Sequence, residues 1–354
     1  MSMQNSTNGT VADVPLPVAQ APAYTAKDFA SSADVRWCPG CGDYSILAQV
    51  QRTLPDFGRP KEEFVFISGI GCSSRFPYYM NCYGFHSIHG RAPALASGLK
   101  VMRPELSVWI VTGDGDGLSI GGNHLMHILR RNFDCNILLF NNRIYGLTKG
   151  QYSPTSEAGK KTKSTPFGSI DHPVNPVLLA LGCESSFVAR TIDREPKHQQ
   201  EIYRRAYHHK GSSFVEIYQN CNIFNDGAFE QLTDKKIKSD NVVGLEHGRP
   251  LIFGINSDKG IRLDGFRPVV VSLADGSHSA DDLLVYDETN AELAYIVARF
   301  SGQPGFPTPI GVLFATERPT YEDLAQDQLA VALDTFGEGD LDAILNEGDT
   351  WVVA

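Results

Sequence analysis

Apolar runs alternate with amphipathic segments along the first two thirds of the chain. Phe64–Ser68, Leu106–Val111, Asn136–Phe140, Ser185–Ala189 and Phe214–Tyr218 are short and rich in large apolar residues, with Gly, Asn or charged residues at their ends, so they read as strands. Asp43–Leu54, Ala92–Met102, Ser119–Arg131, Asn175–Leu181 and Glu195–His209 carry helical periodicity. Strands alternating with helices predict an α/β domain: a doubly wound, mostly parallel sheet, closed by Phe214–Tyr218. Past Gly227 the signals weaken to one strand (Val269–Leu273) and two helices (Glu288–Phe300, Tyr321–Leu333), with Pro304, Pro307, Pro309 and Pro319 between them. Before the domain, Met1 to Ala26 is rich in Ser, Thr, Asn, Pro and Ala, lacks periodicity and is expected to be a flexible tail. The organisation expected is therefore a tail over residues 1–26, an α/β domain over 27–226, and a less regular extension over 227–354 that packs on the domain or on a partner.

The stretch from Val108 to Gly150 concentrates polar residues at two strand ends. One apolar run ends in Gly113-Asp114-Gly115 and the next in Asn141-Asn142, with an amphipathic segment between them. Such a βαβ unit opens both loops at the carboxyl edge of a sheet, where α/β folds bind ligands. Asp114 offers a hard anionic oxygen and Asn142 a neutral one, which suits magnesium completed by phosphate oxygens and water. Gly113, Gly115 and Gly117 let backbone N–H groups approach a diphosphate, and the helix start at Ser119–Gly122 adds a positive dipole end. Gly-Asp-Gly alone is better read as a structural turn; the two motifs together favour the ligand-binding reading.

Cysteine placement adds a second constellation. Trp37-Cys38-Pro39-Gly40-Cys41-Gly42 is a tight CxxC knuckle, Cys72 follows the strand ending at Ser68, and Cys221 follows the strand ending at Tyr218. Four thiolates at such loop positions can converge on one metal centre, and the spacing alone leaves structural zinc and an iron–sulfur cluster both open. Cys82, Cys135 and Cys183 read as packing residues.

Composition narrows the classes. The chain has 354 residues, 42% hydrophobic and 20% charged, and a net charge of −10, which disfavours nucleic acid as a partner. No apolar run is long enough to span a membrane. Seven cysteines without a secretory signal point to a reducing cytoplasm rather than a disulfide framework.

The Gly-Asp-Gly and Asn-Asn pair resembles the thiamine diphosphate signature, and Asn141 to Ser156 (NNRIYGLTKGQYSPTS) resembles the β subunit of 2-oxoacid:ferredoxin oxidoreductases. The resemblance extends from about Val35 to Leu333 and is densest before Gln151. It implies that Asp114, Asn142 and the carbonyl of Ile144 hold magnesium. It also implies that Gly113, Gly115, Asp116, Gly146, Leu147, Thr148, Ser73 and His89 line the cofactor. The WCPGCG, GIGCSS and CxxFN contexts match those of cluster-bearing subunits, which makes Cys38, Cys41, Cys72 and Cys221 the expected ligands of a [4Fe–4S] centre. The implied reaction is CoA-dependent oxidative decarboxylation of a 2-oxoacid, with electrons passed to ferredoxin. Arg75 and Lys149 fall at positions that in this family lie near the substrate pocket. A cationic pair suits a second carboxylate, so 2-oxoglutarate is expected, with pyruvate or a broad range of 2-oxoacids as the alternative. No Glu that could serve the aminopyrimidine ring is recognisable. The resemblance assigns it to an α subunit, in an expected α2β2 assembly. Two rivals remain at this point: a non-catalytic iron–sulfur electron carrier, which has no use for Asp114 and Asn142, and a cluster-free thiamine enzyme, which has no use for the cysteines.

Overall fold

A computed structural model describes residues 23–353. Its main sheet is built from β1 (Phe64–Ser68), β2 (Tyr83–His86), β3 (Ser107–Gly113), β4 (Cys135–Asn141), β5 (Phe187–Ile192), β6 (Ser212–Tyr218), β7 (Val242–Leu245) and β11 (Thr308–Ala315). Strand order is β2-β1-β3-β4-β6-β5-β11-β7. The first six run parallel, while β11 is antiparallel to β5 and parallel to β7. Three further strands, β8 (Ile252–Phe253), β9 (Lys259–Asp264) and β10 (Arg267–Ser272), form a small antiparallel sheet.

The strand alternation distributes side chains between two cores. Val65, Ile67, Val108, Ile110, Ile137 and Leu139 face one way, toward helices α2 (Ala92–Met102), α3 (Gly122–Arg131) and α4 (Pro176–Gly182). Phe64, Phe66, Trp109, Val111, Leu138 and Phe140 face the other, toward α1 (Asp43–Thr53) and α5 (Pro196–His208). The α5 residues expected to point inward, Ile202, Tyr203 and Ala206, are buried there. Both faces are covered, as a mostly parallel sheet requires.

Three expectations need correcting. Phe214–Tyr218 does not close the sheet: β6 lies between β4 and β5, and the sheet continues through β11 and β7 from beyond Gly227. All six residues of β5 are buried, so its far edge needs a partner. β11 was hidden because Pro309 argues against a paired strand. It is accommodated beside β7, and β11 carries an irregularity against β5 between Val312 and Phe314. Second, Tyr83–His86 is the edge strand β2, which the sequence pattern does not mark because it is short, interrupted by Gly84 and exposed along all four residues. Third, the expected tail falls mostly on residues 1–22, outside the described residues, but Tyr24 packs edge-on against Phe29 at 5.4 Å between ring centroids. Thr25 caps a short 3-10 turn over Ala26–Phe29, which ties this end of the segment down.

Candidate active site

Loops from four neighbouring parallel strands, β1, β3, β4 and β6, meet at the carboxyl edge of the sheet. One pocket there is lined by Gly113, Asp114, Gly115 and Asp116 after β3, and by Asn142, Ile144, Tyr145, Gly146, Leu147 and Thr148 after β4. Ile70, Gly71, Cys72 and Ser73 after β1 complete it, with His89 from the turn before α2. The residues expected to contact magnesium and the cofactor thus share one cavity. The helix after Gly-Asp-Gly starts earlier than expected, with a wide π turn over Asp116–Ile120 ahead of α3, which draws the loop tight beneath the pocket.

Asp114 is 2% exposed, and burial pushes its carboxyl pKa up. The rise is opposed by Ser153 Oγ and Thr155 Oγ1, each donating to Oδ2 at 2.5 Å. Both hydroxyls fall on one oxygen, and among the described residues Oδ1 carries no side-chain hydrogen bond. Asn142 Oδ1 accepts from the Ile144 amide at 3.2 Å, which shapes the loop around the Ile144 carbonyl. Gly115 is required by packing: a Cβ there would lie 2.2 Å from the Tyr145 ring, whose hydroxyl donates to the Gly115 carbonyl at 3.0 Å.

Asp116 lines the pocket, and its carboxylate also ties the surrounding loops together. Its carboxylate is turned into the protein, where Oδ1 accepts from the amides of Ile70 (3.1 Å) and Gly90 (2.9 Å) and from His89 Nδ1 (2.8 Å). Its Oδ2 accepts from Thr112 Oγ1 at 2.7 Å. It clasps three loops together. Since an ionised carboxylate only accepts, His89 Nδ1 carries the proton and Nε2 is the nitrogen left for other partners.

The four singled-out cysteines surround the same region. The CxxC knuckle is stitched to the loop after β6: Gly42 N donates to Asn220 O at 3.2 Å, Asn222 Nδ2 to Pro39 O at 2.6 Å, and Gln219 Nε2 to Cys41 Sγ at 3.2 Å. Trp37 Nε1 donates to the Cys72 carbonyl at 2.6 Å, bringing the β1 loop alongside. Cys72 and Cys221 flank Gly146, where a Cβ would lie 3.5 and 3.7 Å from their sulfurs. Burial, then the neighbouring Asp43 carboxylate and Cys221, push the Cys72 thiol up to about 12, with Arg75 opposing. Cys41 is raised for the same leading reason, so both thiols are held protonated in the absence of a cationic centre. Cys38 is exposed, and all seven cysteines are free. Among the described residues no three His, Cys, Asp or Glu side chains converge tightly enough for a single metal ion. Cys135 lies in the core, and Cys82 and Cys183 pack against it, as read from sequence.

Arg75 and Lys149 stand outside the pocket lining. Arg75 Nε donates to Tyr79 OH at 2.9 Å. Lys149 is exposed at a left-handed position (φ +74°) and lines a groove with Lys161, Lys163 and Phe224. Sequence reading missed Ser153, Thr155 and Asn141. Asn141, the first of the Asn pair, is buried, donates to Glu216 Oε1 at 2.7 Å and lies 2.9 Å from Thr155 Oγ1. The only signal for the two hydroxyls was their position within the run that carries the family resemblance.

Residues 69–217 match the family described as "Thiamine pyrophosphate enzyme, C-terminal TPP binding domain". The chain is 53% identical, over 92% of its length and 88% of the relative's, to the 2-oxoglutarate oxidoreductase subunit KorB of Mycobacterium tuberculosis. It is 45% identical to the β subunit of 2-oxoacid:ferredoxin oxidoreductase 1 of Aeropyrum pernix, over 54% of this chain and 60% of that one. A solved 2-oxoglutarate:ferredoxin oxidoreductase from Magnetococcus marinus, with 2-oxoglutarate, coenzyme A and succinyl-CoA bound, matches with a TM-score of 0.71 at 33% identity, covering 91% of this chain and 94% of that one. A thiamine-diphosphate-binding fold, a match along nearly the whole chain and a shared architecture agree: the chain belongs to the β-subunit family of the 2-oxoglutarate:ferredoxin oxidoreductases.

Proposed function

We propose that this chain is the cofactor-bearing subunit of an enzyme that converts 2-oxoglutarate and CoA to succinyl-CoA, CO2 and a proton, passing two electrons to two ferredoxins. The observation that carries the reading is the adjacency of two donor sets: Cys72 lines the same pocket as Asp114 and Asn142, and a Cβ at Gly146 of that pocket would lie within 3.7 Å of the sulfurs of both Cys72 and Cys221.

The donor chemistry fits both groups. Asp114 Oδ1, Asn142 and the Ile144 carbonyl are hard oxygen donors suited to magnesium, which binds through few protein ligands and keeps phosphate and water. A zinc ion would hold thiolates about 3.8 Å apart from bonds near 2.3 Å. A four-iron cube attaches each thiolate to a separate iron and spreads them wider, which suits four cysteines that gather without converging on one ion. Thiamine diphosphate supplies a nucleophile and electron sink, and a [4Fe–4S] centre accepts electrons singly. The chain's own residues bind and exclude: the glycine loop admits the diphosphate, Asp116 holds the surrounding loops in register, and burial keeps water from Asp114.

Arg75 would meet the distal carboxylate from the loop that carries Cys72, to whose carbonyl its own amide donates at 3.2 Å. Lys149 would act at the rim. An α subunit would supply the Glu that the aminopyrimidine requires and most of the CoA site, in an α2β2 assembly in the cytoplasm. No helix among the described residues is long and apolar enough to cross a membrane.

The test is twofold. The co-purified complex is analysed for iron, sulfide and thiamine, then assayed with 2-oxoglutarate, pyruvate and a branched 2-oxoacid side by side. Thiamine with about four irons and four sulfides per chain, and a preference for 2-oxoglutarate, are expected. A complex without the cluster, or one preferring pyruvate, overturns the reading.

A further inference from the structure

Behind Asp114 lies a chain of buried polar contacts that the functional reading does not use. Arg190 and Glu216 are both 0% exposed and pair at 2.6 Å through Nε and Oε2. The other Glu216 oxygen accepts from Asn141 Nδ2 at 2.7 Å. Asn141 Oδ1 lies 2.9 Å from Thr155 Oγ1, which lies 2.5 Å from Asp114 Oδ2. Ser153 Oγ reaches the same Asp114 oxygen at 2.5 Å.

We propose that Ser153 and Thr155 are positioning residues for the magnesium ligand Asp114, with Asn141 held by Glu216 as the fixed acceptor behind Thr155. This rests on the reading of Asp114 as a magnesium ligand. Two hydroxyls on Oδ2 stop the carboxylate from rotating and leave Oδ1 without a side-chain partner among the described residues, on a residue that lines the pocket. Metal-binding side chains need such outer partners to hold their geometry. Glu216 determines which way the Asn141 amide faces, because a flipped amide would set its carbonyl oxygen against a carboxylate oxygen. The Thr155 hydroxyl is thus placed between two acceptors with one proton to give. While Asp114 bears its full charge the proton goes to Oδ2. A buried ion pair is weak support for stability. The link from Glu216 to Asn141 gives this pair a role in orientation.

Thr155→Val removes the hydroxyl at constant shape, Thr155→Ser retains it, and Ser153→Ala removes the second donor. Each is made in the co-purified complex, stripped of magnesium and thiamine diphosphate. Thiamine diphosphate binding is then measured by equilibrium dialysis across a magnesium titration, beside thermal unfolding of the stripped protein. Thr155→Val and Ser153→Ala should weaken magnesium-dependent binding about 10- to 100-fold, Thr155→Ser should bind within about threefold of wild type, and stripped-state melting should not track the affinity loss. Thr155→Val binding within twofold of wild type, or Thr155→Ser losing as much as Thr155→Val, overturns the proposal while wild-type binding leaves the functional reading standing. Wild-type complex that takes up no thiamine diphosphate overturns both.

Discussion

Asp116 is the residue whose replacement most sharply separates a structural clasp from a cofactor contact. Its side chain is 2% exposed and takes four hydrogen bonds, from the Ile70 and Gly90 amides, His89 Nδ1 and Thr112 Oγ1. Asp116→Asn keeps the shape. The amide oxygen can still accept at the Oδ1 position, and the Thr112 hydroxyl can turn to accept from the new NH2. The loss is the charge. A hydrogen bond to a charged group contributes about 1.5–3 kcal/mol against about 0.5–1.5 for a neutral one, so each bond weakens by about 1 kcal/mol and the set by about 3–4 kcal/mol. At roughly 2 °C per kcal/mol for a chain of this size, the cofactor-free complex should melt about 6–8 °C lower in a scanning calorimeter. Asp116→Ala would also strand two amides, at about 1–3 kcal/mol each, and take much of a typical stability of about 5–15 kcal/mol. If Asp116 instead touched the cofactor directly, Asp116→Asn would lower thiamine diphosphate affinity and leave cofactor-free melting within about 1 °C of wild type. That result refutes the clasp.

Three further outcomes follow from the site and its surroundings. Arg75→Ala should lower kcat/KM for 2-oxoglutarate by about 10- to 100-fold, the loss of a charge-assisted pair, and for pyruvate much less; equal losses in competition assays would remove Arg75 from carboxylate recognition. Cys221→Ser should strip iron and sulfide from the purified complex while thiamine diphosphate still binds, as read by metal analysis and dialysis; retained iron with full ferredoxin reduction would exclude Cys221 as a ligand. Burial beside Phe187 and Ser186 lowers the His209 pKa to about 4, against about 6.5 when unfolded. Between those values the unfolded chain binds the proton more readily, so stability is full above pH 6.5 and falls as the pH drops toward 4. After allowance for partial solvent access the loss is about 1–2 kcal/mol, and His209→Gln should remove that part of the slope between pH 7.5 and pH 5 in urea unfolding; identical slopes would refute the assignment.

What the sequence made legible is what local pattern can encode. β1, β4 and β6 stand where apolar runs put them, give or take two residues, and Asp114 and Asn142 reach one pocket because each follows such a run. The rest depends on partners far along the chain. Ser153 and Thr155 act on a carboxylate 39 and 41 residues earlier, and Glu216 orients an amide 75 residues earlier. Asp116 reads as a cofactor-lining residue because it follows Asp114 in the same glycine-rich loop. Its inward turn follows from Gly69, whose missing side chain leaves room: a Cβ there would lie 1.9 Å from Asp116 Oδ2. β11 went unseen because Pro309 is a local signal against pairing, and only the exposed edge of β5 calls for that strand.

Strand order, rather than any single motif, makes the two donor sets one site. Chain order would run β1, β2, β3, β4, β5, β6, yet in the sheet the neighbours are β1-β3-β4-β6. The Asp114 and Asn142 loops follow the two inner strands of that group, and the Cys72 and Cys221 loops follow the two that flank them. Adjacent strands lie about 4.8 Å apart, so the flanking strands are separated by about 14 Å at mid-sheet. Loops reaching inward from both sides close that gap over Gly146, where both sulfurs approach one α-carbon. Had β5 been placed between β4 and β6, Cys221 would stand a further strand away and its loop would not reach Gly146. Crossing β5 to the outside of β6 keeps the thiols within reach of the Asp114 and Asn142 loops, the proximity that the proposed electron transfer out of the pocket would require.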